Sequence, residues 1–463
     1  GDAKSLVDVA ERVVGRLARS PGVEKLLKRP LLIFLHLLSR GVAFLPSRDR
    51  EGAVAGRPQR RLAVPDFRTP SQREGPLSLD RSLRPDCTGA PGTHSLTVGA
   101  ARVGAALLLS FLITAAPAQE AFRLQELRAE RYTVVQGGYF PRLAALPNGD
   151  LVAFFKTGAA HIGKSGRASI SRSTDGGKTW SAPSTLFDIP NADDGVDANG
   201  LSRAGRLMAG VVSYTWNGVR YTLDGWKADT YFLDSSDQGK TWSKPVKVNI
   251  APFQWAYPFG QILEEGDGTL LMTCYGGSLP FRKDDETTTF VVRSKDGGRT
   301  WGDVTAISKG YNELSAIRRK DGSLLAVMRS RIGAHLATTA SRDHGRTWSK
   351  PVKVTEDQEH PGDLLRLPSG DLLLTFGQRN KPFGVQAMVS RDDGVTWDRM
   401  NRILLSWDGD HRDLGYPVTV NLKDGRLATI YYVVYGERDS EGTKGIAPKN
   451  AFCRVVVWDP RAR

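Results

Sequence analysis

One eight-residue pattern, Ser-x-Asp-x-Gly-x-x-Trp, occurs five times and constrains the fold more than any other feature of the chain. The copies span Ser173–Trp180, Ser235–Trp242, Ser294–Trp301, Ser341–Trp348 and Ser390–Trp397. The Asp can accept hydrogen bonds from backbone N–H groups of its own turn, and the Gly supplies a positive φ. The Trp ring can pack back onto the hairpin that carries it. The pattern therefore predicts five similar β-hairpins.

A second turn alternates with the first along the chain. It has the form Gly-x-Leu, usually preceded by Asn, Asp or Ser, and its glycines are Gly149, Gly205, Gly268, Gly322, Gly370 and Gly425. Each of the first five is followed by one of the Asp-containing octets. A repeat of about 50 residues with four strands per unit is typical of a β-propeller.

The fold class predicted from these repeats is all-β, a six-bladed β-propeller with four-stranded antiparallel blades over residues 130–463. The ring must close on itself. Both Tyr132–Val135 and Cys453–Trp458 are rich in β-forming residues. We expect these two segments to share the last blade.

The first 118 residues differ in composition from the rest. All Trp and Tyr residues lie after residue 130, and residues 1–118 hold 18 Lys or Arg against 10 Asp or Glu, so they carry +8 of the formal net charge of +14. Scattered basic residues in such a segment do not form the basic face that nucleic-acid binding requires. We expect residues 1–98 to be a poorly ordered or partly helical extension, and we expect no nucleic-acid partner.

Residues 99–118 have the pattern of a secretory signal. Arg102 precedes the apolar run Val103–Ala115, and an Ala-x-Ala cleavage sequence follows at 116–118. The run is too short to span a bilayer, which needs about 20 residues. We expect a natural start near residues 95–100 and a secreted or periplasmic protein without a stable membrane span. The alternative is a real N-terminal extension with an internal anchor.

Three cysteines, Cys87, Cys274 and Cys453, are too few and too widely spaced for a disulfide framework or a zinc ribbon. Cys274 and Cys453 each lie in an apolar strand pattern. We expect both to be buried free thiols, and we expect no metal and no cofactor.

Strand polarity predicts where a pocket must lie. The two inner strands of each blade are antiparallel, so the start of the first and the end of the second lie at the same end, near the axis. Polar side chains at these positions read as binding or catalytic residues. They include Arg142, Asp194, Asp197, Tyr257, Glu313, Arg329, Arg379 and Tyr416.

Three arginines in one pocket favour an anionic ligand, because a guanidinium is always charged and binds a carboxylate with two parallel hydrogen bonds. A Tyr hydrogen-bonded to a Glu can act as a nucleophile when the carboxylate takes the phenol proton. A neutral Tyr can approach an anomeric carbon beside a carboxylate that would repel a charged nucleophile. Such a Tyr is a known exception among glycosidases.

These residues resemble the sialidase (neuraminidase) superfamily with BNR, or Asp-box, repeats, over about residues 131–458. The resemblance implies that Phe140-Pro141-Arg142-Leu143 provides the first carboxylate-binding Arg, with Arg329 and Arg379 as the second and third. It also implies that Tyr416 is the nucleophile and that Glu313 is its base.

The chain departs from the family at the acid/base residue. The family places an Asp in the loop that corresponds to residues 156–171, and this loop contains no Asp or Glu here. The alternatives are Asp194 or Asp197 from the next blade, or His161 from the loop. A His can transfer protons near neutral pH.

The leading function predicted from the resemblance is that of a secreted, monomeric exo-glycosidase. It would hydrolyse a terminal acidic sugar, first of all sialic acid, from a glycan or glycoconjugate, with retention of configuration. Two alternatives remain open: a uronate-directed lyase or glycosidase that uses His161, and a non-catalytic glycan-binding propeller.

Overall fold

A computed structural model describes residues 123–126, 129–219, 221–280, 286–436 and 448–461. The expectations for residues 1–98 and for the signal-like segment 99–118 lie outside these residues, as does Cys87. No helix within the described ranges is long and apolar enough to cross a membrane. Cys274 and Cys453 are buried and form no disulfide, which confirms the prediction of buried free thiols.

The described residues form 25 β-strands that follow the predicted order. Two strands precede the first blade, β1 (Arg123–Glu126) and β2 (Ala129–Gln136). Blade 1 comprises β3 (Tyr139–Ala145), β4 (Leu151–Thr157), β5 (Arg167–Ser173) and β6 (Ser184–Phe187). Blade 2 comprises β7 (Asp193–Leu201), β8 (Leu207–Thr215), β9 (Lys227–Ser235) and β10 (Val246–Lys247). Blade 3 comprises β11 (Trp255–Glu264), β12 (Leu270–Gly277), β13 (Thr288–Ser294) and β14 (Gly302–Lys309).

The second half of the ring continues in the same way. Blade 4 comprises β15 (Tyr311–Arg318), β16 (Leu324–Ser330), β17 (Leu336–Ser341) and β18 (Val352–Lys353). Blade 5 comprises β19 (Glu359–Arg366), β20 (Leu372–Gln378), β21 (Gly384–Ser390) and β22 (Asn401–Ser406). Blade 6 comprises β23 (Gly415–Asn421), β24 (Leu427–Val434) and β25 (Ala451–Trp458), together with β2. A 3₁₀ turn at Pro448–Asn450 leads into β25. Strand β1 adds to blade 5 by parallel pairing with β22.

Hydrogen bonding joins the strands into five sheets instead of six separate ones. Blades 2 and 3 form one eight-stranded sheet, because β11 pairs with β7 in parallel at Gly260 and Gln261. Each half of that sheet keeps four antiparallel strands, so the described residues form six four-stranded units. The innermost strands β3, β7, β11, β15, β19 and β23 contact one another in this order, and β23 contacts β3. This closed ring is the propeller that the repeats predict.

The last blade closes as predicted. Strand β2 pairs with β25, with Tyr132 opposite Val455 and Val135 opposite Cys453. The two ends of the propeller are thus joined by a full antiparallel ladder. The apolar core lies between neighbouring blades, where burial of apolar side chains stabilises the ring; one cluster packs Leu143 and Phe155 of blade 1 against Ile430 and Val455 of blade 6.

The Asp octets have the geometry that their sequence predicts. In the first, Asp175 accepts hydrogen bonds from the backbone N–H groups of Lys178 and Thr179 and from the Thr179 hydroxyl, at 2.6–3.1 Å. Gly177 has a φ of 96°, and the Trp180 indole donates to its carbonyl at 3.0 Å. The Thr179 hydrogen bonds lower the pKa of Asp175 to about 2.

Acid should therefore destabilise the propeller through these turns. The corresponding carboxylates Asp296 and Asp392 also have pKa values lowered to about 2, whereas an unfolded Asp titrates near 3.9. Stability contributed by a lowered pKa is present above about pH 4 and is lost as the pH falls toward 2. We expect Tm to fall steeply over this range in thermal unfolding. A variant with Asp175, Asp296 and Asp392 changed to Asn should show a shallower acid slope; an unchanged slope would contradict this origin.

Candidate active site

A β-bulge interrupts each innermost strand and selects the side chain that faces the axis. Regular pairing breaks between Tyr139 and Arg142, between 196 and 198, between 258 and 262, between 312 and 314, between 359 and 362, and between 415 and 418. The residues that reach the central cavity from five of these bulges are Phe140, Asp197, Phe259, Glu313 and Tyr416. A bulge adds one residue and turns a side chain away from the regular alternation.

Three of the bulge residues have a strained backbone. The φ angles of Phe140, Glu313 and Tyr416 are 51°, 41° and 51°. Positive φ is uncommon for bulky residues and is concentrated at functional sites, where the surrounding structure holds it in place. The same local conformation thus presents one aromatic, one carboxylate and one phenol group from three different blades.

The five bulge residues line one cavity of about 460 Å³. One wall, from blades 2 and 3, is aromatic and consists of Tyr214, Tyr221, Trp226, Trp255, Tyr257 and Tyr275. Within it, the rings of Tyr257 and Tyr275 are stacked in parallel with centroids 5.1 Å apart. The other wall, from blades 4 to 6, carries Arg329, Arg331, Arg379 and Arg412. The cavity therefore offers a cationic side and an aromatic side to one ligand.

Glu313 of blade 4 and Tyr416 of blade 6 meet on the cationic side of the cavity. The Tyr416 hydroxyl donates to Glu313 Oε1 at 2.5 Å, and Arg329 Nη1 donates to both carboxylate oxygens at 2.9 and 3.1 Å. Burial raises the pKa of the Glu313 carboxyl, but Arg329 and the Tyr416 hydroxyl outweigh this effect, and the net pKa is lowered. Burial and the neighbouring Glu313 raise the pKa of Tyr416 well above its usual value. The resting pair is thus a carboxylate and a neutral phenol.

Arg379 lines the cavity and has unused hydrogen-bonding capacity. Its guanidinium lies 5.8 Å from the Tyr416 ring centroid, and one Nη2 hydrogen bond goes to the Leu414 carbonyl at 2.9 Å. Among the described residues, its buried Nε has no acceptor and no carboxylate forms an ion pair with it. A buried, unpaired N–H costs about 1–3 kcal/mol, so a bound anion would stabilise this group.

The pKa of a neighbouring histidine is lowered by the arginines of the cationic wall. His360 is almost fully buried in the bulge of β19. Burial lowers its pKa most, and the surrounding arginines, led by Arg379 and Arg329, lower it further. Positive charge therefore accumulates at this side of the axis, where an anionic ligand would offset it.

Asp197 lies in the bulge of β7 at the opposite side from Arg379. Burial raises the pKa of this half-buried carboxyl to about 7, although Arg142 and Lys156 act in the other direction. The negative charge of Glu313 raises the same pKa further. Asp197 can therefore hold or release a proton near neutral pH, as a general acid or a hydrogen-bond donor must.

His161 lines the cavity from the loop between β4 and β5, and it is paired with a carboxylate. Its Nδ1 lies 3.0 and 3.2 Å from the two Asp413 oxygens, and the Tyr432 hydroxyl donates to Asp413 Oδ1 at 2.5 Å. Despite its burial, Asp413 has a lowered pKa because His161 and Arg379 favour its charged form. The pair does not extend to a metal site: within the described ranges, no group of three His, Cys, Asp or Glu side chains could hold a metal ion.

The structure brings most of the predicted site residues together. Tyr416, Glu313, Asp197, His161, Arg329, Arg379 and Tyr257 all line the cavity. Their strands are far apart in sequence, and their meeting follows from the ring of innermost strands.

Two predicted residues lie elsewhere, and these expectations are corrected. Arg142 pairs in register with Phe154 and directs its guanidinium to the Asn199 side chain, the Gly260 carbonyl and Asp363. It borders a different cavity, because the β3 bulge places Phe140 where an axial Arg was expected. Asp194 is fully buried, and its Oδ2 accepts the Ile189 N–H at 2.5 Å.

Sequence reasoning missed several cavity residues. Phe140 and Asp413 carry no motif, although Phe140 shares with Tyr416 a following proline, and Asp413 lies three residues before it. Arg331 and Arg412 also line the cavity, from the chain just after β16 and just before β23. The Phe-Pro and Tyr-Pro pairs at equivalent strand starts were the available signal for which residue faces the axis.

Comparison with protein families and curated proteins agrees with the repeats. Residues 209–429 match the model of the BNR repeat-like domain, and residues 171–182 match the BNR/Asp-box repeat. A sialidase of Bacteroides fragilis is 26% identical over 272 residues, covering 51% of this chain and 49% of that protein. The chain spans about half the length of the curated relatives it matches.

Solved structures share the fold at low sequence identity. A Dyadobacter fermentans protein of unknown function superposes with a TM-score of 0.60 at 22% identity, covering 71% of this chain and 98% of that one. The Hadza microbial sialidase Hz136 gives a TM-score of 0.54 at 19% identity, with 70% and 66% of the two chains covered. At these identities the likeness concerns the fold.

Proposed function

Since the chain belongs to the sialidase superfamily of BNR/Asp-box β-propellers, we propose that it is a sialidase-type glycoside hydrolase that removes a terminal acidic sugar, with sialic acid as the leading substrate. The proposal includes a secreted or periplasmic location and a retaining mechanism. The observation that carries it is the Tyr416–Glu313 hydrogen bond beside Arg329 and Arg379 in one cavity.

The cationic wall supports an acidic substrate. Arg329 is held in place by Glu313, so one of its edges is occupied, whereas Arg379 has no ion-pair partner among the described residues. Arg379 would bind the sugar carboxylate directly, with Arg329 and the rim residue Arg412 adding positive charge. Because Arg142 lies outside the cavity and Phe140 lies in it, anion binding would be concentrated on blades 4 to 6.

The first chemical step follows from the Tyr416–Glu313 pair. Tyr416 Oη attacks the anomeric carbon while Glu313 takes the phenol proton, and the bond from the anomeric carbon to the leaving oxygen breaks. The leaving oxygen takes a proton from a general acid. Because the phenol is neutral, the substrate carboxylate does not repel the nucleophile as it approaches. The negative charge of Glu313 acts only when Glu313 accepts the phenol proton.

The second step returns the enzyme to its resting state. Water attacks the glycosyl-tyrosine and gives a proton to the group that served as the acid, while Tyr416 recovers its proton from Glu313. Two displacements at one carbon retain its configuration. The cavity offers two groups for the acid/base role, Asp197 and His161.

The proposal is tested by a substrate screen with the full chain. We expect release of 4-methylumbelliferone from the α-sialoside, weak or no release from the glucuronide and arabinoside, and retention of configuration in the first product by NMR. Turnover of the neutral arabinoside alone would contradict an acidic substrate. Binding of sialosides without turnover of any substrate would favour a glycan-binding propeller.

A uronate-directed lyase or glycosidase is the second candidate. The His161–Asp413 pair favours it, because a lyase needs a base that removes a proton from a carbon beside a carboxylate and does not need Tyr416 as a nucleophile. A lyase releases an unsaturated sugar that absorbs in the near ultraviolet. The same screen, read at that absorbance on uronate-containing oligosaccharides, separates elimination from hydrolysis.

A further inference from the structure

We infer that His161, held by Asp413, is the acid/base of the proposed glycosidase, that Asp413 is its positioning residue, and that Asp197 instead binds a substrate hydroxyl. The inference rests on the proposed function and assigns a role that the functional-site geometry leaves open between two residues. It is carried by the placement of the two groups in the propeller and by the partner that each one has.

The His161 imidazole is oriented by a buried carboxylate. The Asp413 side chain is 3% exposed and is fixed by the Tyr432 hydroxyl, whereas the His161 side chain is 26% exposed. A neutral imidazole that donates Nδ1–H to Asp413 keeps Nε2 as its proton acceptor, and the protonated ring donates through Nε2. Asp413 thus fixes which nitrogen is available, as a proton-transfer group requires.

His161 also lies near the nucleophile without contacting the carboxylate that serves it. The Phe140 ring packs against both groups, with centroids 4.8 Å from His161 and 4.9 Å from Tyr416. The charged groups around His161 are Asp413, which is paired with it, Lys156, whose Nζ donates to the His161 carbonyl and to Asp193, and the cavity-lining Arg379 and Arg412. Tyr139 and Tyr432 complete its surroundings.

Asp197 differs from His161 in its place in the fold. It lies in an innermost strand, in the same ring of bulges as Glu313 and Tyr416, whereas His161 lies on a loop beyond the end of β4. In an exo-acting glycosidase the terminal sugar fills the inner end and the leaving group points to the opening. A loop residue is therefore better placed to protonate the leaving oxygen, and Asp197 is better placed to bind a ring hydroxyl.

The proton balance is complete with His161 in this role. Protonated His161 gives its Nε2 proton to the leaving oxygen as the anomeric bond breaks, and it becomes neutral. In the second step its Nε2 takes a proton from the attacking water and recovers the resting charge. Asp413 keeps its negative charge throughout and stabilises the protonated ring of the resting enzyme.

Leaving-group dependence separates an acid from a binding residue. A good leaving group such as 4-methylumbelliferone needs little protonation, whereas the galactose of a sialyl-galactoside needs a proton donor. We expect H161Q to lower kcat/KM by about 10²–10⁴-fold for the galactoside and by less than about tenfold for the umbelliferyl substrate. We expect D197N to lower both by the same factor, because a lost contact to the sugar affects both substrates alike.

Asp413 is tested by the pH profile. D413N should lower kcat on the galactoside and shift the alkaline limb of the profile to lower pH, because the protonated imidazole loses its carboxylate partner. A purely structural role would change Tm without moving this limb. The control is a second His–Asp pair outside the cavity, His335 and Asp357, whose Nδ1–Oδ1 distance is 3.2 Å; H335Q and D357N should leave both substrates unaffected.

The outcomes distinguish the two levels of the proposal. If D197N shows the strong leaving-group dependence and H161Q does not, Asp197 is the acid and the inference fails while the glycosidase stands. If the wild-type protein hydrolyses neither substrate, the proposed function fails as well. If H161Q does not fold, H161N is used for the same comparison of kcat/KM on the two substrates. Its Tm, measured beside that of the wild-type protein, shows whether it is folded.

Discussion

Tyr416→Phe is expected to abolish glycoside hydrolysis, lowering kcat by about 10³-fold or more, while substrate binding changes little. The substitution removes only the phenol oxygen that attacks the anomeric carbon. The Glu313–Arg329 ion pair does not depend on this oxygen, so the cationic wall should persist. The measurement is kcat on the umbelliferyl sialoside, with Kd for a sialic acid analogue from calorimetry.

Covalent trapping makes this prediction specific to the nucleophile. A 2,3-difluoro sugar that reacts but turns over slowly should label Tyr416 in the wild-type protein, as read by mass spectrometry of peptides, and should leave the variant unlabelled. Tyr132→Phe is the matched control, because the Tyr132 hydroxyl donates only to the exposed Glu130 on the closing blade. Wild-type kcat in Tyr416→Phe, or labelling at another residue, would remove Tyr416 from the mechanism.

Arg379→Ala is expected to lower kcat/KM for an acidic sugar by about 10²–10³-fold, mainly through KM. Losing one partner of a desolvated charge pair costs about 2–5 kcal/mol. Arg379 carries an unpaired buried Nε, and among the described residues it has no carboxylate of its own to lose. Arg379→Lys should recover only part of the effect, since an ammonium keeps the charge without the planar pair of donors.

The chemical readout for Arg379 is selectivity for the free acid. The wild-type protein should bind a sugar carboxylate at least about 10²-fold more tightly than its methyl ester, and Arg379→Ala should lose this preference. Arg412→Ala, at the exposed rim, should cost less than about tenfold because solvent screens the charge. Arg391→Ala, whose exposed ion pair with Asp398 lies on the outer side of blade 5, should have no effect. If Arg379→Ala still preferred the free acid over the methyl ester as strongly as the wild-type protein does, the sugar carboxylate would not bind at Arg379.

The propeller could be predicted from sequence because its turns are local. Every interaction that defines an Asp octet, such as the bonds from Lys178 and Thr179 to Asp175, lies within eight consecutive residues. Six Gly turns then count the blades, and the β-rich ends at 132–135 and 453–458 indicate how the ring closes. The strand polarity within one blade was enough to predict that Glu313, Arg329, Arg379 and Tyr416 face one cavity.

The expectations that Arg142 and Asp194 line the cavity were wrong because a shift of one residue in strand register decides which side chain faces the axis. A strand alternates its side chains with a period of two, so a bulge moves the axial position from Arg142 to Phe140 and directs Arg142 to Asp363. The Pro after Phe140 was a local sign of that bulge, but the family resemblance directed attention to Arg142 instead.

The repeated turns thus determine, through contacts between near neighbours in the chain, the antiparallel blades, and the pairing of β2 with β25 closes them into a ring. The chemistry inside the ring depends on pairs that no local pattern encodes, such as His161 and Asp413, which are 252 residues apart and meet only after the ring has closed. Local sequence is enough to predict the turns because their hydrogen bonds are satisfied within one hairpin. The side chains at the axis find their partners on other blades, at distances that the bulges and loops of the folded molecule set.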